Sequence, residues 1–176
     1  FNIRSLSKII GISHAGMFKI LKKLEQDKIL ISKLIGRARI YSLNFENDLA
    51  VKKAVWSLSL EGYSNMRWIE EFRFLKEFDG FIILFGSILT NPGEARDIDL
   101  LIVQNKKELN QIKKYVSDKN KIMTKRVHAL LQTKEDFLND FKKRNKVILE
   151  AIKTGRVLFG QEKFINLLKE NESFRK

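Results

Sequence analysis

The sequence has no cysteine. That absence removes disulfides, thiolate zinc sites and cysteine nucleophiles together. Long hydrophobic runs are missing too: no stretch approaches the ~18 apolar residues of a membrane helix, and no secretory signal is visible. No membrane partner is expected, and the expected compartment is the cytoplasm. Acidic residues are outnumbered, 21 Asp and Glu against 34 Lys and Arg, which leaves a formal net charge of +13. Such an excess favours a polyanionic partner, nucleic acid or nucleotide, although it also serves solubility. With 176 residues, 44% of them hydrophobic, the chain can form one ordinary domain or two small ones. Internal repeats and low-complexity segments are absent as well. The chain opens on Phe1 rather than Met, so its start is expected to be trimmed.

What is present is organised around Phe81 to Val103, FIILFGSILTNPGEARDIDLLIV. Phe81 to Phe85 is short, apolar and rich in β-formers, which predicts a core strand. Gly86-Ser87 ends it where the backbone must turn sharply and can approach a phosphate. A loop over residues 88–96 follows, and then a second strand opens on Asp97-Ile98-Asp99. Side chains alternate along a strand, so Asp97 and Asp99 share a face and Ile98 points to the other. Two carboxylates facing a Gly-Ser turn suit Mg²⁺, which takes hard oxygen ligands and shares them with substrate phosphates. The plainer reading is a turn between two strands followed by a capping Asp-x-Asp, since each short motif is common.

An apolar strand, Gly-Ser, roughly ten residues and an Asp-x-Asp strand resembles the minimal nucleotidyltransferases, relatives of the polymerase-β catalytic domain. Gly86, Ser87, Asp97 and Asp99 match that signature position by position. The resemblance implies an α+β fold with a small mixed sheet over 81–176. It implies Asp97 and Asp99 as catalytic metal ligands for Mg²⁺ (or Mn²⁺), with an NTP, taken to be ATP, as substrate. Gly86, Ser87 and Arg96 would then bind the nucleotide phosphates, although a solvated loop arginine is the commoner case. Family members modify antibiotics, nucleic-acid ends or protein tyrosines, the last in toxin–antitoxin pairs, so a protein acceptor such as a helical toxin is among the implied partners. A homodimer is compatible with these features.

One departure stands out. Most active members carry a third aspartate on the next strand, here Arg126 to Gln132, and that strand has no carboxylate. His128 takes the nearest equivalent position. Histidine is a poor Mg²⁺ ligand, although Mn²⁺ or Zn²⁺ would accept it; a hydrogen-bonded strand residue is the alternative. Glu135 or Asp136 could substitute for the missing carboxylate, yet capping explains both without catalysis.

The first 46 residues carry a second resemblance. Arg4 to Ile10 predicts a short helix with Leu6, Ile9 and Ile10 on one face, Gly11 breaks it, and Ser13 is placed to cap the next helix. That helix, residues 14–27, sets Met17, Ile20, Leu21 and Leu24 at core spacing. Strands over 29–33 and 38–43 are joined around Gly36. The pattern resembles a winged helix-turn-helix, which normally carries one more helix in front. The resemblance implies duplex DNA as partner and a role in transcription regulation. His14, Phe18, Lys19, Lys22 and Lys23 would lie on the recognition helix, and Arg37 and Arg39 on the wing. The alternatives are a solvated basic face or a protein-interaction module.

Residues 47–80 read as a helical connector packing on the transferase domain, with helices near 49–61 and 64–78 separated by Gly62. Val51, Val55, Leu58, Trp68, Phe72 and Leu75 are its candidate core residues. After Val103 the pattern predicts a lysine-rich helix over 106–119 and a long helix from Thr133 to Thr154, ended by Gly155. A strand over 156–159, a helix over 161–170 and a frayed end from Asn171 complete the chain.

Overall fold

The computed structural model describes residues 1–173. The chain divides into two compact units, Phe1–Val55 and Trp56–Lys176.

In the first unit, helix α1 (Ile3–Ile10) starts on a capping box in which Asn2 accepts from the Ser5 N–H and Ser5 reaches back to Asn2. Gly11, left-handed at φ +75°, ends it. Ser13 caps helix α2 (His14–Gln26) by accepting from the Gly16 N–H at 3.1 Å. Strands β1 (Leu30–Ile35) and β2 (Ala38–Leu43) form an antiparallel hairpin, with Leu30 opposite Leu43 and Ile35 opposite Ala38. Met17, Leu21 and Tyr41 are buried together, and Ile3, Leu6, Ile12 and Leu30 pack against them. The expected apolar faces are only partly used. Leu6 joins this core, but Ile9, Ile10 and Ile20 are exposed. These side chains lie outside the small core that α1, α2 and the hairpin share.

The second unit is built on a four-stranded sheet in the order β5-β4-β3-β6. Its strands are β3 (Phe81–Phe85), β4 (Asp97–Val103), β5 (Arg126–Gln132) and β6 (Arg156–Phe159). β4 and β5 run parallel, whereas β3 is antiparallel to both β4 and β6. This is the mixed sheet of an α+β fold. All residues of β3 are buried, because it is a central strand with helices on both faces.

On one face Ile82, Leu84, Ile98, Leu100, Ile102 and Val127 pack with Trp68, Phe72, Leu75 and Ile112. These come from helix α4 (Met66–Glu71) with its C-cap, a 3-10 helix (Arg73–Glu77), and helix α6 (Leu109–Ile122). On the other face Phe81, Ile83, Phe85, Leu101 and Val103 pack with Phe137, Ile148, Ala151, Phe164 and Leu167. Those belong to helices α7 (Lys134–Lys142), α8 (Lys146–Thr154) and α9 (Gln161–Ser173).

Several expected boundaries are corrected. Helix α3 (Asp48–Tyr63) passes through Gly62, and the interruption falls at Ser64-Asn65. Gly62 is not a breaker: a Cβ there would lie 2.8 Å from the Val157 carbonyl oxygen, so the residue permits close approach to β6. Part of the expected loop after β3 is a short helix, α5 (Ser87–Thr90). The lysine-rich helix is a 3-10 turn over Lys106–Glu108 followed by α6, which continues to Ile122. The long helix expected from Thr133 to Thr154 is two. Arg144 takes φ +56°, a left-handed conformation that ends α7, and Asn145 recaps α8 by accepting from the Val147 N–H at 3.0 Å. Gly155 does cap α8, but in an extended conformation. The expected fraying from Asn171 is corrected as far as Ser173, where α9 ends; residues 174–176 lie outside those described. No helix among the described residues is long and apolar enough to cross a membrane.

Candidate functional site

The strand β4 begins with its two carboxylates. Ile98 is fully buried in the core, so the alternation of the strand sends Asp97 and Asp99 to the opposite face, where both are half-buried. Phe85, the last residue of β3, is the register partner of Asp99. The turn that follows therefore meets the carboxylate directly. Gly86 has φ +80° and ψ −164°, and a Cβ on it would collide with the Asp99 carboxylate oxygen Oδ2. Only glycine allows that approach in that conformation. Ser87, exposed, opens α5 immediately afterwards. Gly86, Ser87, Asp97 and Asp99 are thus brought together where β3 ends and β4 begins, at one end of the sheet. Arg96 is exposed at the end of the loop preceding β4.

His128 stands opposite Asp99 in the parallel register of β4 and β5, with its Nδ1 3.8 Å from Asp99 Oδ1. It has no short hydrogen bond to that carboxylate. Burial, the largest influence, pushes the Asp99 carboxyl above its ordinary value; His128 pulls it back, and the charges of Asp97 and Glu150 push it further up.

Glu150 was not foreseen. It lies on α8, whose buried residues Ile148 and Ala151 pack on the same sheet face as the aspartates. Glu135 and Asp136, for which capping is the expected role, sit in the first turn of α7. Asp136 accepts from the Thr133 N–H at 3.1 Å and from its hydroxyl at 2.8 Å, so it is engaged in capping. No sequence signal marks Glu150, because its position depends on the break at Arg144.

Among the described residues, no group of three or more His, Cys, Asp and Glu could hold a metal ion. The donor set on this strand face is the carboxylate pair Asp97 and Asp99. It does not fit a closed cage made of protein ligands alone.

A family model described as polymerase beta, nucleotidyltransferase, matches residues 75–164. The chain belongs to the nucleotidyltransferase family. The matched span runs from the 3-10 helix before β3 into α9, and so contains the whole sheet of the nucleotidyltransferase domain with Gly86, Ser87, Asp97 and Asp99. No curated protein matches the chain significantly.

In the first unit, His14, Phe18, Lys19, Lys22 and Lys23 are all exposed on α2; Lys19 and Lys23 lie opposite the buried Met17 and Leu21, whereas His14 and Phe18 border that stripe. Lys23 is paired with Asp27 at 3.0 Å. Arg37 is exposed in the hairpin turn. Arg39 is less available, because it donates to the Ser32 hydroxyl at 3.0 Å and lies 3.6 Å from Glu25 on α2.

Proposed function

We propose that this nucleotidyltransferase-family chain binds duplex DNA through its first unit and uses the Asp97–Asp99 pair to transfer a nucleotide from ATP to a macromolecular acceptor. The observation carrying the reading is the pairing of two half-buried carboxylates on one strand face with a glycine turn in contact with Asp99. Asp97 and Asp99 hold Mg²⁺ (or Mn²⁺) together with the nucleotide phosphates. When bound, the ion would supply positive charge opposite the phosphoryl group and the leaving pyrophosphate. Ser87 and backbone N–H groups of the Gly86-Ser87 turn receive phosphate oxygens, and Arg96 adds positive charge from the loop. Burial raises the Asp99 carboxyl above its ordinary value, and a bound cation would offset part of the cost of its charge.

For the first unit, the helix pair and hairpin support a winged helix-turn-helix reading. Its basic α2 face would enter the major groove with Arg37 at the backbone. A helical toxin as protein acceptor and a homodimer are compatible with this scheme.

A second reading is a transcription regulator that senses nucleotide without turning it over. What favours it is His128, which stands beside Asp99 where a third carboxylate would help activate the acceptor hydroxyl. Label transfer from α-labelled ATP to protein or nucleic acid, with Mg²⁺ and with Mn²⁺, separates the two. Robust transfer by the native chain rejects the sensor. Transfer by His128→Asp alone identifies a lost carboxylate, and binding of Mg–ATP without transfer by either form supports sensing.

A further inference from the structure

The tip of the β1–β2 hairpin carries apolar side chains where a solvated turn needs none. Leu34 is 67% exposed and Ile35 60% exposed, immediately before the Gly36-Arg37 turn. Across the hairpin they face Arg39 and Ala38. Successive strand residues point to opposite faces, so each face of the ribbon ends on one exposed apolar side chain, with Arg39 beside Leu34 on one face and Ala38 beside Ile35 on the other. Gly36, at φ +57°, lets the chain reverse within two residues and keeps that end narrow. Lys33 and Arg37 flank it, both exposed, and neither forms an ion pair among the described residues.

We propose that the hairpin tip is a wedge for duplex DNA, in which Leu34 and Ile35 enter the minor groove and lean into an opened base step while Lys33 and Arg37 hold the adjacent phosphates. The inference rests on the reading of the first unit as a DNA-binding module. Apolar wedges of this kind partly unstack a step and kink the duplex toward the major groove. Pyrimidine–purine steps open most easily, so the wedge confers a preference for them without a hydrogen bond to any base. The geometry favours this occupant over others. A second copy of the chain would bring its own Lys33 and Arg37 against these, like charge on like. An acidic protein would satisfy the cations but offers no narrow slot with apolar walls on both sides, which a stack of base pairs does.

The test uses the full chain and a duplex of about 30 base pairs with a central TA step. The adenine of that step is replaced by a fluorescent analogue quenched by stacking, and the ends carry a dye pair. Binding should raise the analogue's emission several-fold and shorten the end-to-end distance. Leu34→Ser with Ile35→Ser should keep the native melting temperature and the salt slope of binding, because both residues are exposed and uncharged, yet lose both signals. Lys33→Ala with Arg37→Ala should reduce the salt slope by about 0.9 for each phosphate no longer neutralised, while the emission rise persists at saturating protein. Native binding without either signal, or a serine variant that retains both, overturns the wedge and leaves DNA binding intact. No duplex binding by the native chain at low salt overturns the wedge together with the DNA reading.

Discussion

Replacing Gly86 by alanine probes the turn on which the Asp97–Asp99 pair depends. The residue sits at φ +80° and ψ −164°, a region essentially restricted to glycine. Holding another residue there costs about 1–3 kcal/mol. The added methyl would also fall within contact distance of Asp99 Oδ2 and 3.2 Å from its Cγ. The end of that side chain can swing, so the steric component is relieved by turning the carboxylate away from Asp97. Stability should therefore drop by about 1–3 kcal/mol, mainly through the backbone. For a chain of this size each kcal/mol moves the melting temperature by about 2–4 °C, so a fall of roughly 2–12 °C is expected. Affinity for Mg–ATP should weaken more than tenfold, because one of the two charges no longer faces the ion. Gly93→Ala is the control: nothing lies within 4 Å of its Cβ position, and its φ is not left-handed. That variant should be neutral or gain up to about 1 kcal/mol from the reduced freedom of the unfolded chain. Urea unfolding, thermal scans and Mg–ATP titration on both proteins make the comparison. Gly86→Ala unfolding within about 0.5 kcal/mol of the native protein, with native Mg–ATP affinity, would refute the reasoning.

Asp97→Asn with Asp99→Asn should abolish Mg–ATP binding yet leave stability unchanged or higher, since two crowded carboxylates become neutral. The folded Asp99 carboxyl is raised above its unfolded value, so the native state holds that proton more tightly. Stability should fall as pH rises from about 3.9 through the higher folded pKa, and the double variant should lose that slope in a urea series. Glu150→Gln should lower the Asp99 midpoint in a carboxyl NMR titration; an unmoved midpoint would mean that Glu150 is not felt. Lys19→Ala, Lys22→Ala and Lys23→Ala together should weaken duplex binding and flatten its salt dependence, with the smallest share from Lys23, already held by Asp27. Gly62→Ala should cost about 1–3 kcal/mol by forcing α3 away from the Val157 carbonyl; a stabilised variant would restore the helix-breaker view.

The elements that create the Asp97–Asp99 pair were readable because each has a strong local signal. Phe81 to Phe85 reads as a buried strand from its length and β-formers, Gly86-Ser87 punctuates it, and the period of β4 fixes which way the aspartates point. β5 was equally legible from RVHALLQ, including the position of His128. What escaped is set by tertiary packing. Nothing local in Lys143-Arg144-Asn145 forces a left-handed residue; the break exists because α7 and α8 must both pack on one sheet face. Glu150 follows from that break and was unreadable for the same reason. Gly62 looked like punctuation, whereas its lack of a side chain serves the close approach to β6. Ile9, Ile10 and Ile20 showed helical periodicity, but periodicity marks an apolar face and not whether anything covers it.

The position of β6 bears on how the protein is made. β3 has a partner on each side, and the second one, β6, comes from residues 156–159, after α6, β5, α7 and α8. During synthesis the FIILF segment therefore waits with one edge unpaired until Arg156 to Phe159 leave the ribosome. An apolar strand with an open edge is a template for pairing with other chains. Premature termination before Arg156 would leave that edge permanently open, and the fragment would go to aggregates or proteases. β6 thus closes the edge of β3 that the preceding elements leave open.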